Sequence, residues 1–217
     1  MSKFECNHYV PNSMLRNFAV NTENNHSKIY VIDLHQFKVE YKNTKKAFYV
    51  KNLYDLKSEN QKELERKIGN KIERPMGQVV KKFLANQKLV ELTRKELDTI
   101  RKYFLLQIYR TPRNKVSYTH PSAGVPTFSR FNICDYETNE DFWKREMLEI
   151  VESRWELLLT TDMVGVKSHA LEINSMFLMF VNTMDEFWIN DLGYATERIS
   201  VTIPDSKKQS ILRWLKK

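Results

Sequence analysis

The sequence predicts an α+β protein with a small N-terminal antiparallel sheet, central helices and a C-terminal β-hairpin. Residues 1–56 hold short β-branched or alternating segments that are typical of strands. Residues 57–160 hold apolar residues at the three-and-four spacing of amphipathic helices. Residues 161–217 hold two more strand-like segments and a basic tail. We expect the 217 residues to form one domain, because a chain of this length can bury roughly 70% of its unfolded surface.

The N-terminal sheet is predicted from four short segments. Residues 28–33 (KIYVID) are β-branched and aromatic, and residues 37–41 (FKVEY) alternate apolar and polar side chains like a return strand. Residues 34–36 would form the turn between them. Residues 47–50 and 52–56 indicate further short strands.

The first helix is predicted over residues 61–85. Its apolar stripe consists of Leu64, Ile68, Ile72, Met76, Val79, Val80, Phe83 and Leu84. Pro75 removes the hydrogen bond to the carbonyl of Lys71, so we expect a kink or a break there. Glu65 falls inside the apolar stripe, where a carboxylate must be paired, protonated or a ligand. It is a functional acid or metal ligand, or the buried partner of an arginine, or a residue at the edge of the stripe that reaches water.

The second helix is predicted from Thr93, which forms a capping box with Glu96, to Arg110. It should end before Pro112, because the residue before a proline is pushed out of the α region. Residues 103–109 are apolar on nearly all sides, so this helix should be central and buried.

The remaining elements predicted from the sequence are a loop, a third helix, a β-hairpin and a basic tail. Residues 111–131 contain three prolines and a glycine and are predicted as a loop, and a third helix should follow over residues 140–159 with Asn139 as its cap. Residues 176–183 and 186–190 are predicted as a β-hairpin with a turn at 184–185, and residues 206–217 as a basic amphipathic tail.

Composition limits the class of protein. The two cysteines are too few for a disulfide framework, and the first ten residues lack the pattern of a signal peptide. The longest apolar run covers residues 176–181, whereas a membrane span needs roughly 20 residues. We therefore predict a cytoplasmic protein without a transmembrane segment.

The net charge of +8 and the pI of about 9.3 favour polyanionic partners, nucleic acid before anionic membrane. A solubilising lysine coat explains the same charge. The basic residues form three clusters: Lys42, Lys45, Lys46 and Lys51; Lys67, Lys71, Arg74 and Lys81; and Lys207, Lys208, Arg213, Lys216 and Lys217. Tyr41, Tyr49 and Tyr54 interleave with the first cluster and would either stack on bases or pack on neighbouring strands. The identity of any protein partner is not indicated.

Cofactor motifs are largely absent from the sequence. It contains no Cys-x-x-Cys or His-x-x-x-His pair, which argues against structural zinc, and no glycine-rich phosphate loop, which excludes a Walker or Rossmann nucleotide site. No cofactor is evident, although a divalent cation held by one or two carboxylates remains open.

A histidine and an arginine in residues 113–120 suggest one specific chemistry. Arg113 and Asn114, followed by His120, resemble the motif of the HEPN ribonucleases, which implies metal-free phosphodiester cleavage. That motif lies on a helix in the HEPN family, whereas the segment is predicted here as a loop.

Several motifs together resemble an uncharacterised family, Domain of Unknown Function 4238. The opening motif is His8-Tyr9-Val10-Pro11 followed by Leu15-Arg16-Asn17-Phe18. Similar motifs follow in the family's order: a strand ending in Asp33, Asn52-Leu53-Tyr54, Ile72-Glu73, and Gln107 with Arg110-Thr111-Pro112. The resemblance is good over residues 8–113 and weaker beyond. There Phe187 and Asp191 fit a further motif, but Leu192-Gly193 replaces its Asn-Pro pair.

The resemblance implies a polar cluster drawn from distant segments. Its members at motif positions are His8, Arg16, Asp33, Glu73, Arg110 and Asp191. One hypothesis is an enzyme acting on a phosphodiester, most simply in nucleic acid, with His8 as acid or base and both arginines clamping phosphate. Glu73 and Asp191 would hold a divalent ion or orient His8. The other hypothesis is a non-catalytic protein that binds nucleic acid or a protein. Convergence of His8, Arg110 and an acid in one cleft would favour the enzyme.

Overall fold

The computed structural model of the chain describes residues 6–23, 26–33, 36, 38–51, 53–54, 61–85, 90–119 and 139–175. The strands are β1 (Cys6–His8), β2 (Asn21–Glu23), β3 (His26–Asp33), β4 (Lys38–Asn43) and β5 (Tyr49–Lys51). The α-helices are α1 (Asn12–Leu15), α2 (Gln61–Ile68), α3 (Arg74–Ala85), α4 (Arg94–Arg110), α5 (Pro112–Thr119), α6 (Asn139–Glu152), α7 (Trp155–Leu158) and α8 (Val164–Ser175). The predicted α+β class is confirmed.

The N-terminal strands form two small antiparallel sheets. One pairs β1 with β5, and the other has the order β2-β3-β4. The strands predicted at 28–33 and 37–41 are β3 and β4, and β5 overlaps the strand predicted at 47–50. The strand predicted at 52–56 is wrong at Leu53 and Tyr54, which lie in a turn and are both buried, while the rest of that segment lies outside the described residues. Their apolar side chains enter the helical core rather than a strand pair.

One face of the three-stranded sheet is covered. Ile29 on β3 packs in a buried cluster with Val10, Leu15 and Ala47. This cluster joins the sheet to the N-terminal segment, in which α1 leads directly into a 3₁₀ helix (Arg16–Phe18). The main core lies elsewhere, among the helices.

The helix predicted over 61–85 is present, but a π-helical turn, Gly69–Glu73, separates α2 from α3. The buried residues Leu64, Ile68, Ile72 and Met76 are spaced by four. On an ideal α-helix three such steps drift by about 120°, and the wider π turn reduces that drift. A kink or a break was expected at Pro75, and the structure has this π turn before Pro75 and no break.

The central helix α4 matches its prediction. Thr93 caps it, and the reciprocal capping box with Glu96 is present. Leu105 is fully buried, while Phe104 and Ile108 are partly buried against the core. α4 packs against α3, α6 and α8, so it is the element around which the helices assemble.

The loop predicted from residue 111 is wrong for residues 112–119. Thr111 is extended, as expected before a proline, but Pro112 then begins α5. Proline is well suited to the first position of a helix, where its missing N–H costs nothing. Arg113 and Asn114 therefore lie on a helix, as the HEPN motif requires, while His120 lies outside the described residues.

The third predicted helix is two helices. α6 ends at Glu152, Arg154 is extended, and α7 begins at Trp155. α8 was not predicted at all, and it lies in the region that was assigned to the hairpin and tail. The predicted hairpin strands, 176–183 and 186–190, and the tail lie outside the described residues. Within the part of the chain that the structure describes, no helix is long and apolar enough to cross a bilayer.

Candidate functional site

The N-terminal segment is held against the end of α4 by two side chains of that helix. Arg110 Nη2 donates a hydrogen bond to the backbone carbonyl of His8, and Gln107 Nε2 donates one to the carbonyl of Tyr9 at 3.1 Å. Since β1 also pairs with β5, the backbone of His8 is fixed from two sides. The start of the opening motif therefore lies beside the Arg110 end of α4.

Arg110 is the buried cation of the site. Its side chain is 1% exposed, and Nη1 lies 2.7 Å from Oε1 of Glu73, whose side chain is 26% exposed. Burial lowers the pKa of Arg110, but its interactions with Tyr54 and Glu73 outweigh burial and raise the pKa above its ordinary value. The guanidinium therefore stays charged and links the π turn to β1.

A cavity of about 210 Å³ opens beside this pair. It is lined by His8, Asn12, Ser13, Tyr54, Glu65, Ile68, Glu73 and Arg110. On a basis of roughly 30 Å³ for a water molecule, the cavity holds a handful of waters or a group the size of a phosphate ester. Three of the predicted site residues, His8, Glu73 and Arg110, thus meet in one place.

The other predicted site residues are not brought to this cavity by the described structure. Arg16 is exposed on the 3₁₀ helix and is not among the lining residues. Asp33 accepts a hydrogen bond from the Gln36 backbone N–H at 3.0 Å, so it closes the turn after β3. Asp191 lies outside the described residues.

The cavity wall contains buried polar atoms. Among the described residues, the Tyr54 hydroxyl, Asn12 Oδ1 and Arg110 Nε are buried there without a hydrogen bond of acceptable geometry. Tyr54 interacts with Arg110, but burial dominates and raises the pKa of Tyr54 to about 12, so the hydroxyl keeps its proton. Because Tyr54 and Arg110 partly satisfy each other, Asn12 Oδ1 is the atom of this wall that indicates a bound polar ligand or water.

Tyr54 is the main site residue that sequence reasoning missed. It was expected either to stack on bases or to pack on a neighbouring strand, but it is 3% exposed and lies in the helical core beside Trp143. Its signal was present, because Asn52-Leu53-Tyr54 is one of the motifs that carry the family resemblance. Asn12 and Ser13 sit between two matched motifs and gave no signal of their own.

His8 is in the tautomer whose Nδ1 can accept a proton. Its Nε2 lies 3.3 Å from the carbonyl oxygen of Thr44, which can only accept, so Nε2 carries the proton and Nδ1 keeps a lone pair. Burial lowers the pKa of His8 below 6.5, although the Thr44 hydrogen bond partly opposes this. The ring is therefore neutral at pH 7 and able to accept a proton.

The two histidines with lowered pKa values make stability fall in mild acid. His8 and His169 both have folded-state pKa values below 6.5, with burial as the largest cause. The unfolded chain then binds more protons as the pH falls below about 6.5, so the free energy of unfolding should decrease there. Urea unfolding measured between about pH 7 and about pH 5.5 checks this. A variant carrying His8→Gln and His169→Gln should show a flatter pH dependence, and unchanged dependence would contradict the assignment.

Metal ligands are not assembled in the described part of the chain. No group of three or more His, Cys, Asp or Glu side chains there is placed to hold a metal ion. Glu65 and Glu73 nevertheless both line the cavity, and one or two carboxylates suffice for a Mg²⁺ that keeps several waters.

Comparison with known proteins gives one match. The model of a family described as "Protein of unknown function (DUF4238)" matches residues 7–189. The match extends well past residue 113, where the motif resemblance weakened, and it stops just short of Asp191. No curated protein and no solved structure matches the chain.

Proposed function

This chain belongs to the DUF4238 family of proteins of unknown function, and we propose that it is a hydrolase of phosphodiester bonds in nucleic acid. The observation that carries the proposal is the convergence of a neutral histidine, an ion-paired arginine and two carboxylates on one cavity. These residues come from β1, α2, the π turn and α4. A purely structural ion pair would not need a neighbouring cavity that a histidine and a second carboxylate also line.

His8 is the proposed general base. Its Nδ1 accepts a proton from a water molecule, the water oxygen forms a bond to phosphorus, and the bond from phosphorus to the leaving oxygen breaks. The leaving oxygen must then be protonated, and the Tyr54 hydroxyl is the protonated group available in the cavity wall. The Thr44 carbonyl holds the imidazole in the tautomer that this step requires.

Arg110 supports the reaction in two ways. Its positive charge, buried beside the cavity, stabilises negative charge on the phosphoryl oxygens. Its hydrogen bond to the His8 carbonyl holds the base in position. Arg16 has no part in this proposal, because its exposed side chain does not line the cavity.

A divalent cation is an open part of the proposal. Glu65 and Glu73 would hold it, and it would supply positive charge next to the phosphate. Hydrolysis assayed with Mg²⁺ and, separately, with a chelator decides between cation-dependent and cation-independent chemistry.

The test is hydrolysis of bis(p-nitrophenyl) phosphate and of a labelled single-stranded oligonucleotide by the full chain. We expect His8→Gln to lower kcat/KM by about 10²-fold or more, the usual contribution of a positioned base. His169→Gln is the matched control, because His169 is also a histidine with a lowered pKa but does not line the cavity. Absence of hydrolysis with either substrate, with and without Mg²⁺, would refute the proposal. So would a His8→Gln variant as active as His169→Gln.

The alternative function is non-catalytic binding of nucleic acid. The specific observation in its favour is a pair of exposed tyrosines on the three-stranded sheet, Tyr30 and Tyr41. Binding without hydrolysis in the same assay would select this alternative.

A further inference from the structure

The three-stranded sheet leaves one face open. Opposite the side on which Ile29 is buried, Tyr30, Val39 and Tyr41 are 53%, 59% and 43% exposed. Tyr30 and Tyr41 are direct partners in the β3–β4 register, so their side chains share a face. Exposed apolar side chains on neighbouring strands form a contiguous surface, which usually marks a binding site.

The two tyrosines form an aromatic platform with a cation above it. Their ring centroids are 4.9 Å apart with an angle of 33° between the ring planes. Lys28 Nζ lies 5.2 Å from the centroid of the Tyr41 ring. Paired exposed rings next to a lysine are the arrangement on which bases stack while a phosphate meets the ammonium group.

Three lysines lie on or beside the β3–β4 part of this face. Lys28 lies on the face, and Lys45 and Lys46 are exposed in the 3₁₀ helix that directly follows β4. None of these three lysines forms an ion pair with a residue that the structure describes. The residues of the β3–β4 part of the face include no acid, and Glu23 lies at the far end of β2, opposite His26. The β3–β4 part is therefore complementary to a polyanion.

Some lysines of the predicted basic clusters are paired with acids. Lys42 forms an ion pair with Glu40, which also contacts Lys38. Lys67 and Lys71 both form ion pairs with Glu152. These members of the clusters are therefore less available to a polyanion than Lys28, Lys45 and Lys46.

We propose that this face binds single-stranded nucleic acid. Two bases stack on Tyr30 and Tyr41, and the adjoining phosphates contact Lys28, Lys45 and Lys46. A duplex does not fit this mode, because its bases hide their faces in the stack. The choice of a nucleic acid rests on the proposed function, but the face shares no residue with the cavity.

The test is fluorescence anisotropy with labelled 12-nucleotide oligo-dT and oligo-U and with a duplex of the same length, titrated with the full chain. We expect both single strands to bind more tightly than the duplex, with affinity falling steeply between ~50 mM and ~200 mM salt. Tyr30→Ala with Tyr41→Ala should raise Kd about 25-fold or more, since each stacked base contributes about 5-fold or more and the two contributions multiply. Lys28→Gln should reduce the dependence of Kd on salt.

Two control variants make the result specific. Tyr30→Phe with Tyr41→Phe keeps the rings and should bind within about twofold of wild type. Leu157→Ala with Leu171→Ala removes exposed apolar side chains from α7 and α8 and should leave Kd unchanged. No binding to either single strand at low salt, or equal binding by the alanine pair and wild type, would overturn the proposal. A wild-type dimer that the alanine pair dissociates would also overturn it, because the face would then join two copies of this chain.

The proposal for the sheet face, here called the docking face, and the proposed function fail in distinguishable ways. If the alanine pair binds as wild type does while bis(p-nitrophenyl) phosphate is still hydrolysed, the proposal for the docking face is wrong and the proposed hydrolase activity stands. If binding depends on the tyrosines but neither substrate is hydrolysed, the hydrolase is wrong and the docking face stands.

Discussion

Replacing Glu73 with alanine is expected to destabilise the folded chain by about 3 kcal/mol. The change leaves the Arg110 guanidinium, 1% exposed and permanently charged, with the His8 carbonyl and the neutral Tyr54 hydroxyl as its hydrogen-bonding neighbours. Removing one member of a buried ion pair usually costs 3–5 kcal/mol. We expect the lower end of that range, because Glu73 is 26% exposed and water from the cavity can partly replace it. Urea unfolding monitored by circular dichroism measures the change.

Two further variants distinguish the loss of a buried ion-pair partner from the loss of an exposed glutamate. Glu156→Ala removes a surface partner of Arg94, whose pair has 78% and 50% exposed side chains, and should cost less than about 1 kcal/mol. Replacing both residues, as Glu73→Ala with Arg110→Met, removes the stranded charge and should recover part of the lost stability. If Glu73→Ala and Glu156→Ala had equal effects, the pair would contribute nothing beyond a surface contact.

Replacing Leu105 with alanine is expected to destabilise the fold by about 2–5 kcal/mol. Leu105 is fully buried in the middle of α4, where it belongs to the main helical core. The cost combines the lost burial of the side chain with the cavity that remains, and it depends on how far the neighbours can collapse. The free energy of unfolding in urea is again the measurement.

The control for Leu105 is another leucine on a helix. Leu171 on α8 is 49% exposed, so Leu171→Ala should change stability by no more than about 0.5 kcal/mol. A Leu105→Ala protein that melts like wild type would contradict the central position of α4.

The long helices were predictable because their apolar spacing is strong and their ends carry chemical signals. α4 begins at a capping box and ends before Pro112, and both features are local in sequence. α8 gave no comparable signal, because two of its four buried residues, Gly165 and Ala170, are small and do not read as an apolar stripe. Small residues allow close packing against α4, a property of the assembled fold.

The break between α6 and α7 was unpredictable for a different reason. Neither Ser153 nor Arg154 is a helix breaker, so the periodic pattern runs straight through them. The break is stabilised from outside, since Lys102 Nζ on α4 donates hydrogen bonds to the carbonyls of Val151 and Ser153. A partner 49 and 51 positions away leaves no trace in local sequence.

The candidate site was predictable in part. His8, Glu73 and Arg110 were found through motifs of the family resemblance, and they do meet. The same motifs also nominated Arg16 and Asp33, because a motif position does not distinguish a residue that lines a cavity from one that closes a turn. The position of Tyr54 in the helical core was not predicted, because its burial depends on helices that follow later in the chain.

The π turn at Gly69–Glu73 also affects how the chain tolerates insertions and deletions. A π turn contains one residue more than the α turn it replaces, so the helix can lose a residue there and remain helical. Such a deletion would rotate the segment before the turn by about 100° relative to the segment after it. Glu65 and Glu73 stand on opposite sides of the deletion point, so they would no longer face the same cavity. The spatial relation of the two carboxylates is therefore set by the number of residues in a single helical turn, and an alignment gap at this point would mark a relative whose cavity is built differently.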